Sequence, residues 1–111
     1  MKPLEVEMIV AEIGDESSSD QLFHLLYDGT VMDMTTFAVI GGEADAIRVR
    51  LEDSWERTAD LVAAVSGAVA ALAGPDRTLA ADDLEVAVLA RSSERRAFRR
   101  IEGDELDGLL A

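Results

Sequence analysis

The chain has 111 residues, of which 49% are apolar, and it carries a formal net charge of −13. The length suits one domain of ordinary size, residues 1–111, and the apolar fraction is too high for a wholly disordered chain. The charge argues against nucleic acid and anionic membranes as main partners. Because the chain has no cysteine, disulfide bonds and thiolate metal sites are excluded.

Nothing in the sequence predicts a membrane-spanning or targeting segment. The longest stretch of low charge, residues 61–74, is rich in alanine and too short to cross a bilayer. Met1, Lys2 and Pro3 lead directly into a predicted strand, which is not the pattern of a signal peptide. We therefore expect no membrane partner and a cytoplasmic location.

Three strands are predicted in the first part of the chain, over residues 4–11, 21–27 and 31–40. The first is amphipathic in its first half and apolar on both faces in its second half, which is typical of a strand that enters a covered sheet. A polar loop at residues 14–20 separates it from the second strand. Asp28 and Gly29 indicate a tight hairpin turn before the third, because glycine readily adopts positive φ.

Two helices follow, each with an apolar stripe at helical spacing. Gly41 and Gly42 end the third strand and open the first helix, in which Arg48 and Glu52 are spaced to form a weak pair. Thr58 is the predicted N-cap of the second helix, and Gly74 with Pro75 ends it. The two stripes consist of Ala44, Ile47, Leu51 and Trp55, and of Leu61, Val65, Val69 and Leu72.

The chain ends with two predicted strands and a helix. The strands, residues 84–89 and 95–101, are joined by a polar connection, and Leu84, Val86 and Val88 share one face. The helix covers residues 104–110. This order predicts an α+β fold in which two helices cover mainly antiparallel strands. Because the strands carry more apolar surface than two helices can cover, we expect the isolated chain to associate rather than remain a monomer.

Candidate catalytic and metal-binding groups are few, and each has a simpler structural explanation. His24, the only histidine, stands between leucines on one strand face, which favours a structural role. Glu5 and Glu7 resemble a carboxylate pair but have no pocket. Asp15, Glu16 and Asp20 lack the spacing of a calcium loop, and Gly41 with Gly42 lacks the rest of a phosphate-binding motif. We predict no catalytic, cofactor-binding or metal-binding residue and no cofactor.

A basic cluster is the exception in this acidic chain. It consists of Arg91, Arg95, Arg96, Arg99 and Arg100. Because Phe98 is the only aromatic residue within it, nucleic-acid binding is disfavoured. Pairing with acidic groups of the chain itself or of a neighbouring subunit is the favoured interpretation.

Six sequence segments carry a resemblance to a known family. They are KPLEVE (2–7), VAE (10–12), YDGT (27–30), VIGG (39–42), LEVAVL (84–89) and RRAFRRI (95–101). In their order and spacing they resemble the second half of the actinobacterial 20S proteasome α subunit. The last two segments are the most specific, whereas the Asp-Gly turn alone would be weak.

The resemblance implies a fold and a function. The fold would be part of the four-layer αββα sandwich of N-terminal-nucleophile hydrolases. The function would be that of a non-catalytic structural subunit, whose rings cap the catalytic β rings and gate the entry of protein substrates. The implied partners are proteasome α and β subunits, in a homo-oligomeric α ring, and an ATPase activator whose docking pocket is not in this chain. Catalysis in β subunits uses an N-terminal threonine, and this chain begins with Met1.

Two alternatives come from other classes of function. One is a free-standing small protein-binding module that uses its sheet face to receive a peptide or a partner strand. The other is an enzyme that uses His24 with a nearby acid. Native mass separates the first alternative from the proteasome interpretation, because a lone binding module should be a well-behaved monomer.

Overall fold

A computed structural model describes residues 6–91 and 97–111 and divides the chain into two compact units, Met1–Ala44 and Asp45–Ala111. Among the described residues there are two antiparallel sheets, of three and two strands, and three α-helices. The α+β class with mainly antiparallel strands is thus confirmed. That residues 1–111 form one domain stays a prediction.

The first unit is built on a three-stranded sheet. Its strands are β1 (Met8–Glu12), β2 (Gln21–Leu25) and β3 (Val31–Met34), in the order β1-β2-β3. The third strand was predicted to reach residue 40, but it ends at Met34, where the chain bends at residues 35 and 36. The predicted start of the first strand, at residues 4 and 5, lies outside the described residues.

The loops at the two ends of this sheet are held by side-chain hydrogen bonds. Between β1 and β2, the backbone N–H of Gly14 donates to Asp20 Oδ1 at 2.9 Å. Between β2 and β3, Gly29 has φ of 91°, and its N–H donates to the carbonyl of Leu26 at 3.0 Å. The predicted hairpin turn is thereby confirmed. Asp28 Oδ1 accepts the N–H of Thr30 at 2.9 Å, and hydrogen bonds from Thr30 lower the pKa of that carboxyl.

All of helix α1 (Ala44–Ser54) except its first residue belongs to the second unit, and its stripe includes the buried Ile47. Arg48 pairs with Asp45 at 2.8 Å, one turn earlier in the helix, and not with Glu52 as predicted. Asp45 is in the first turn, where a carboxylate also interacts favourably with the helix dipole. Both side chains of this pair are well exposed, so the pair adds little to stability.

The second helix, α2 (Leu61–Ala73), is capped at its start by Asp60, whose Oδ1 accepts the N–H of Ala63 at 2.8 Å. The prediction that Thr58 is the cap is wrong, because the helix begins two residues later than that cap requires. Val65 is the buried centre of the predicted stripe, whereas Leu72, in the last turn, is 39% exposed.

Three donors satisfy successive carbonyls at the end of α2. Gly74, with φ of 74°, donates its N–H to the carbonyl of Ala70 at 3.0 Å. Arg50 Nε donates to the carbonyl of Ala71 at 2.8 Å, and an Arg77 guanidinium nitrogen donates to that of Leu72 at 3.0 Å. Carbonyls in the last turn have no partner within the helix, and two cations suit the negative end of its dipole. The predicted stop at Gly74 is confirmed.

The core of the second unit joins α2 to the last three elements. These are β4 (Val86–Leu89), β5 (Phe98–Ile101) and α3 (Gly103–Leu110). The buried cluster consists of Val65, Ile101, Leu106 and Leu109, and Val86 and Val88 pack against it. The predicted core face of the penultimate strand is therefore confirmed, as are the apolar positions of the last helix. Arg95 and Arg96, at the predicted start of the final strand, lie outside the described residues.

Candidate interaction surface of the first sheet

The ladder of the first sheet sorts its side chains into two faces. Met8 pairs with Leu25 and Leu25 with Val31, while Val10 pairs with Phe23. Paired residues share a face and neighbours along a strand alternate, so these five side chains lie on the same side. Val6 precedes Met8 by two residues, so it extends the same side of the sheet towards the start of the chain. We call this set the apolar face: Val6, Met8, Val10, Phe23, Leu25 and Val31.

The apolar face is largely open to solvent. Its exposed fractions are 51% at Val6 and at Met8, 44% at Val10 and 59% at Val31. All five residues of β1 are exposed, and β1 lies at an edge of the described sheet, where one row of backbone groups has no strand partner. Contiguous apolar patches and open edges are the features by which sheets associate with other chains. The predicted excess of apolar strand surface is thus confirmed for this sheet.

The sequence prediction missed part of this exposed set. The surplus of apolar strand surface is predicted to come in this unit from Val6, Met8, Ile9, Val10, Phe37, Val39 and Ile40. Five of these residues are exposed, but Val39 is buried and Phe37 is half-buried, so the prediction is wrong for Val39. Val31 and Met32, at 59% and 44% exposure, were not singled out. The alternation of residues 31–34 could have predicted this exposure. It puts Val31 on one face of β3 and Met32 on the other, and Asp33 then follows as a polar residue on the face of Val31. Val86 and Val88 were also predicted to contribute, but both pack on the core of the second unit.

His24 lies on the opposite face of the sheet, in the ladder row of Ile9 and Met32. It is 8% exposed, and its Nε2 lies 2.8 Å from Oε2 of Glu7. The pair ties the residue that leads into β1 to the central strand. The geometry brings together the two groups that the enzyme hypothesis requires, but in a buried, paired state that suits a structural role. The absence of a catalytic residue stays a prediction.

The other candidate groups are dispersed. Glu5 lies outside the described residues, so the predicted proximity of Glu5 and Glu7 is not described. Asp20 accepts a backbone hydrogen bond within its own loop. Across residues 6–91 and 97–111, no three histidine or acidic side chains are grouped so that they could hold a metal ion. The prediction that the chain uses no metal or cofactor stays a prediction.

The basic cluster is described only in part. Arg99 pairs with Glu105 of α3 at 2.6 Å, which confirms for this residue the predicted pairing with acidic groups of the chain itself. Arg100 lies in the ladder row of Ala87, on the face of the β4–β5 sheet opposite Val88. That face opens onto a cleft of about 580 Å³, which is lined by apolar groups such as Phe98 and by four carboxylates, those of Asp82, Glu85, Glu102 and Asp107.

Comparison with known proteins gives a consistent result. A scan against protein-family models finds no match. A proteasome subunit alpha of Acidimicrobium ferrooxidans is 50% identical over 106 residues, which cover 96% of this chain and 46% of the relative. Proteasome subunits alpha of Kineococcus radiotolerans and of a Nocardioides species are 46% and 50% identical, over 99% and 98% of this chain and 50% and 44% of the relatives.

The chain spans about half the length of the curated relatives that it matches. Among the described helices, none has the length and apolar character needed to cross a membrane. The resemblance that the sequence segments predicted is confirmed: along almost all of its length, this chain is related in sequence to actinobacterial proteasome alpha subunits.

Proposed function

We propose that the chain is a non-catalytic, structural part of a proteasome alpha-type subunit, corresponding to the second half of its relatives. The observation that carries the proposal is the open apolar face of the first sheet, in a chain that matches about half of each relative along 96–99% of its own length. A sheet with such a face is stabilised when further polypeptide covers it. That polypeptide would be the remainder of the subunit.

The proposal assigns the chain to the four-layer αββα sandwich of N-terminal-nucleophile hydrolases. The described strands and helices would supply part of both sheets and part of the helical layers. The assembled subunit would form the homo-oligomeric α ring of a 20S particle in the cytoplasm, cap the catalytic β rings and gate the entry of protein substrates. Docking of an ATPase activator would depend on parts of the subunit outside this chain.

The proposal of a non-catalytic role rests on what His24 does in the fold. Its ring is almost completely buried, and one ring nitrogen is bonded to Glu7. A general base must reach the proton that it abstracts, and a nucleophile must lie within hydrogen-bond distance of its base. The Glu7–His24 pair connects the residue that leads into β1 to the central strand β2, so we assign it to holding the start of β1 against β2.

Co-expression tests the proposal. The chain is produced together with the part of the Acidimicrobium ferrooxidans proteasome subunit alpha that lies outside the matched region. We expect a stable complex with one copy of each polypeptide or a multiple of it, measured by native mass spectrometry. Val10→Lys, on the apolar face, should prevent complex formation. Val62→Lys is the matched control, because Val62 is 53% exposed on α2 of the second unit and Val10 is 44% exposed.

The free-standing binding module remains the second candidate, and the open edge of β1 favours it. A peptide could extend the sheet there by main-chain hydrogen bonds. Under this alternative, the isolated chain would be a monomer of 11.9 kDa over a wide range of concentration and would not capture the complementary polypeptide. That pair of results would contradict the proteasome proposal.

A further inference from the structure

The charges of the chain are distributed unevenly between the two units. In the first 44 residues, Lys2 is the only lysine or arginine, against nine aspartate and glutamate residues. The remaining residues carry nine arginines against fourteen acidic residues. The open sheet therefore belongs to the part of the chain that has almost no positive charge of its own.

Two carboxylates stand at the border of the apolar face itself. Asp33 is in the ladder row of Phe23 and Val10, and Glu12 follows Val10 by two residues, so both project on the same side as the apolar row. Both residues are exposed. The loop that continues from Glu12 adds Asp15 and Glu16, which are exposed as well. The apolar face is thus bordered by negative charge at its β1–β2 loop end.

This arrangement limits what can cover the face. A partner that removed water from Glu12 and Asp33 without offering a cation would leave two carboxylates uncompensated, which is strongly unfavourable. A second copy that docked through the same face would present the same acidic border, because Lys2 is the only lysine or arginine in the first 44 residues. A segment with lysine or arginine beside its apolar side chains would instead gain two ion pairs.

We infer that the apolar face receives a polypeptide segment whose row of apolar side chains is flanked by lysine or arginine, and not the same face of a second copy of this chain. That this face is an assembly surface rests on the proposed function, whereas the chemistry of the partner follows from the charges at its border. The apolar row supplies the contact area, and the acidic border selects the partner by charge.

Synthetic peptides test the inference. Two fluorescent peptides of equal length carry the same alternating valines, flanked by two lysines in one and by two glutamates in the other. We expect the lysine peptide to bind about tenfold more tightly at 50 mM NaCl, since each exposed ion pair contributes modestly. The ratio should shrink at 300 mM NaCl, where charges are screened more strongly. A third peptide, with the same lysines but serine in place of valine, should bind more weakly than the valine–lysine peptide.

Matched variants locate the effect. Glu12→Gln with Asp33→Asn should remove most of the preference for the lysine peptide. Asp104→Asn with Asp107→Asn changes the net charge equally at exposed positions of α3 and should leave the preference intact. All four positions are exposed, and circular dichroism verifies that each double variant keeps its fold.

Three results would overturn the inference. In the first, the lysine and glutamate peptides bind equally, or neither binds. In the second, the α3 double variant loses the preference for the lysine peptide as much as the double variant at Glu12 and Asp33. In the third, the chain forms a tight dimer at 50 mM NaCl that excludes the peptides. Successful co-expression together with equal peptide binding would remove this inference and keep the proposed function. Preferential binding of the lysine peptide, together with no complex on co-expression, would keep this inference and remove the proposed function.

Discussion

Truncating Ile101 is a direct test of the core of the second unit. At 2% exposure it is the most buried side chain of the core, where it contacts a cluster formed with Val65, Leu106 and Leu109. Ile101→Ala removes three carbon atoms beyond Cβ, worth about 2.5 kcal/mol of transfer free energy at roughly 0.8 kcal/mol per methylene. The cavity left behind brings the expected loss to about 3–4 kcal/mol.

That loss is comparable with the whole stability of a unit of this size, which is typically a few to about ten kcal/mol. A graded variant therefore makes the test quantitative: Ile101→Val should cost about 1 kcal/mol. Val62→Ala is the control, because Val62 is 53% exposed on α2 and its truncation should change stability by less than about 0.5 kcal/mol.

Urea denaturation followed by the fluorescence of Trp55 measures these differences. Trp55 is the only tryptophan in the chain and lies in the second unit, so its signal reports on that unit. A shift of the midpoint at constant slope reports a change in stability. Equal midpoints for Ile101→Val and Val62→Ala, or a cooperative transition of Ile101→Ala near that of the unchanged chain, would refute the assignment of Ile101 to the core.

Three further predictions address the turn, the helix end and the absence of catalysis. Gly29→Val should lower the melting temperature more than Gly108→Ala, because a β-branched residue is strained at φ of 91° whereas alanine favours a helix; comparable shifts would contradict the turn. Arg50→Met should cost about 1–2 kcal/mol in urea denaturation, because it leaves a half-buried carbonyl at the end of α2 without its donor, while Arg48→Met, which breaks an exposed pair, should cost at most about 0.5 kcal/mol. The chain should not hydrolyse fluorogenic peptides, and turnover that His24→Ala abolishes would refute the structural role of that residue.

Local signals predicted the turns and the core strands well. Asp28 and Gly29 form the turn between β2 and β3, and Gly74 ends α2, because positive φ is a property that one residue type satisfies almost alone. Val86 and Val88 face the core because period-2 spacing puts both on one side of a strand. Each of these predictions needed only the residues involved and their neighbours.

The sequence was a poorer guide where two nearby residues could serve equally well as a helix cap or as the partner of an ion pair. Thr58 and Asp60 are both good N-caps, and the helix begins after Asp60 because that side chain reaches the N–H of Ala63. Arg48 has acidic residues one turn away on both sides, and it pairs with Asp45. Energies of exposed pairs differ by only a few tenths of a kcal/mol, so spacing alone does not decide between them.

The candidate surface could be predicted only as a surplus of apolar strand surface, because alternation assigns residues to faces without indicating which face is covered. In β4, alternation puts Val86 and Val88 on the core, and on the other face it puts Ala87, which is exposed, and Leu89, which is half-buried. In β1, Met8 and Val10 lie on one face and Ile9 on the other, and all three are exposed. A strand with one solvated face would carry polar residues in that row. We therefore infer that the first sheet is built to be covered on the apolar face by polypeptide other than its own three strands, and that the acidic border at Glu12 and Asp33 selects what covers it.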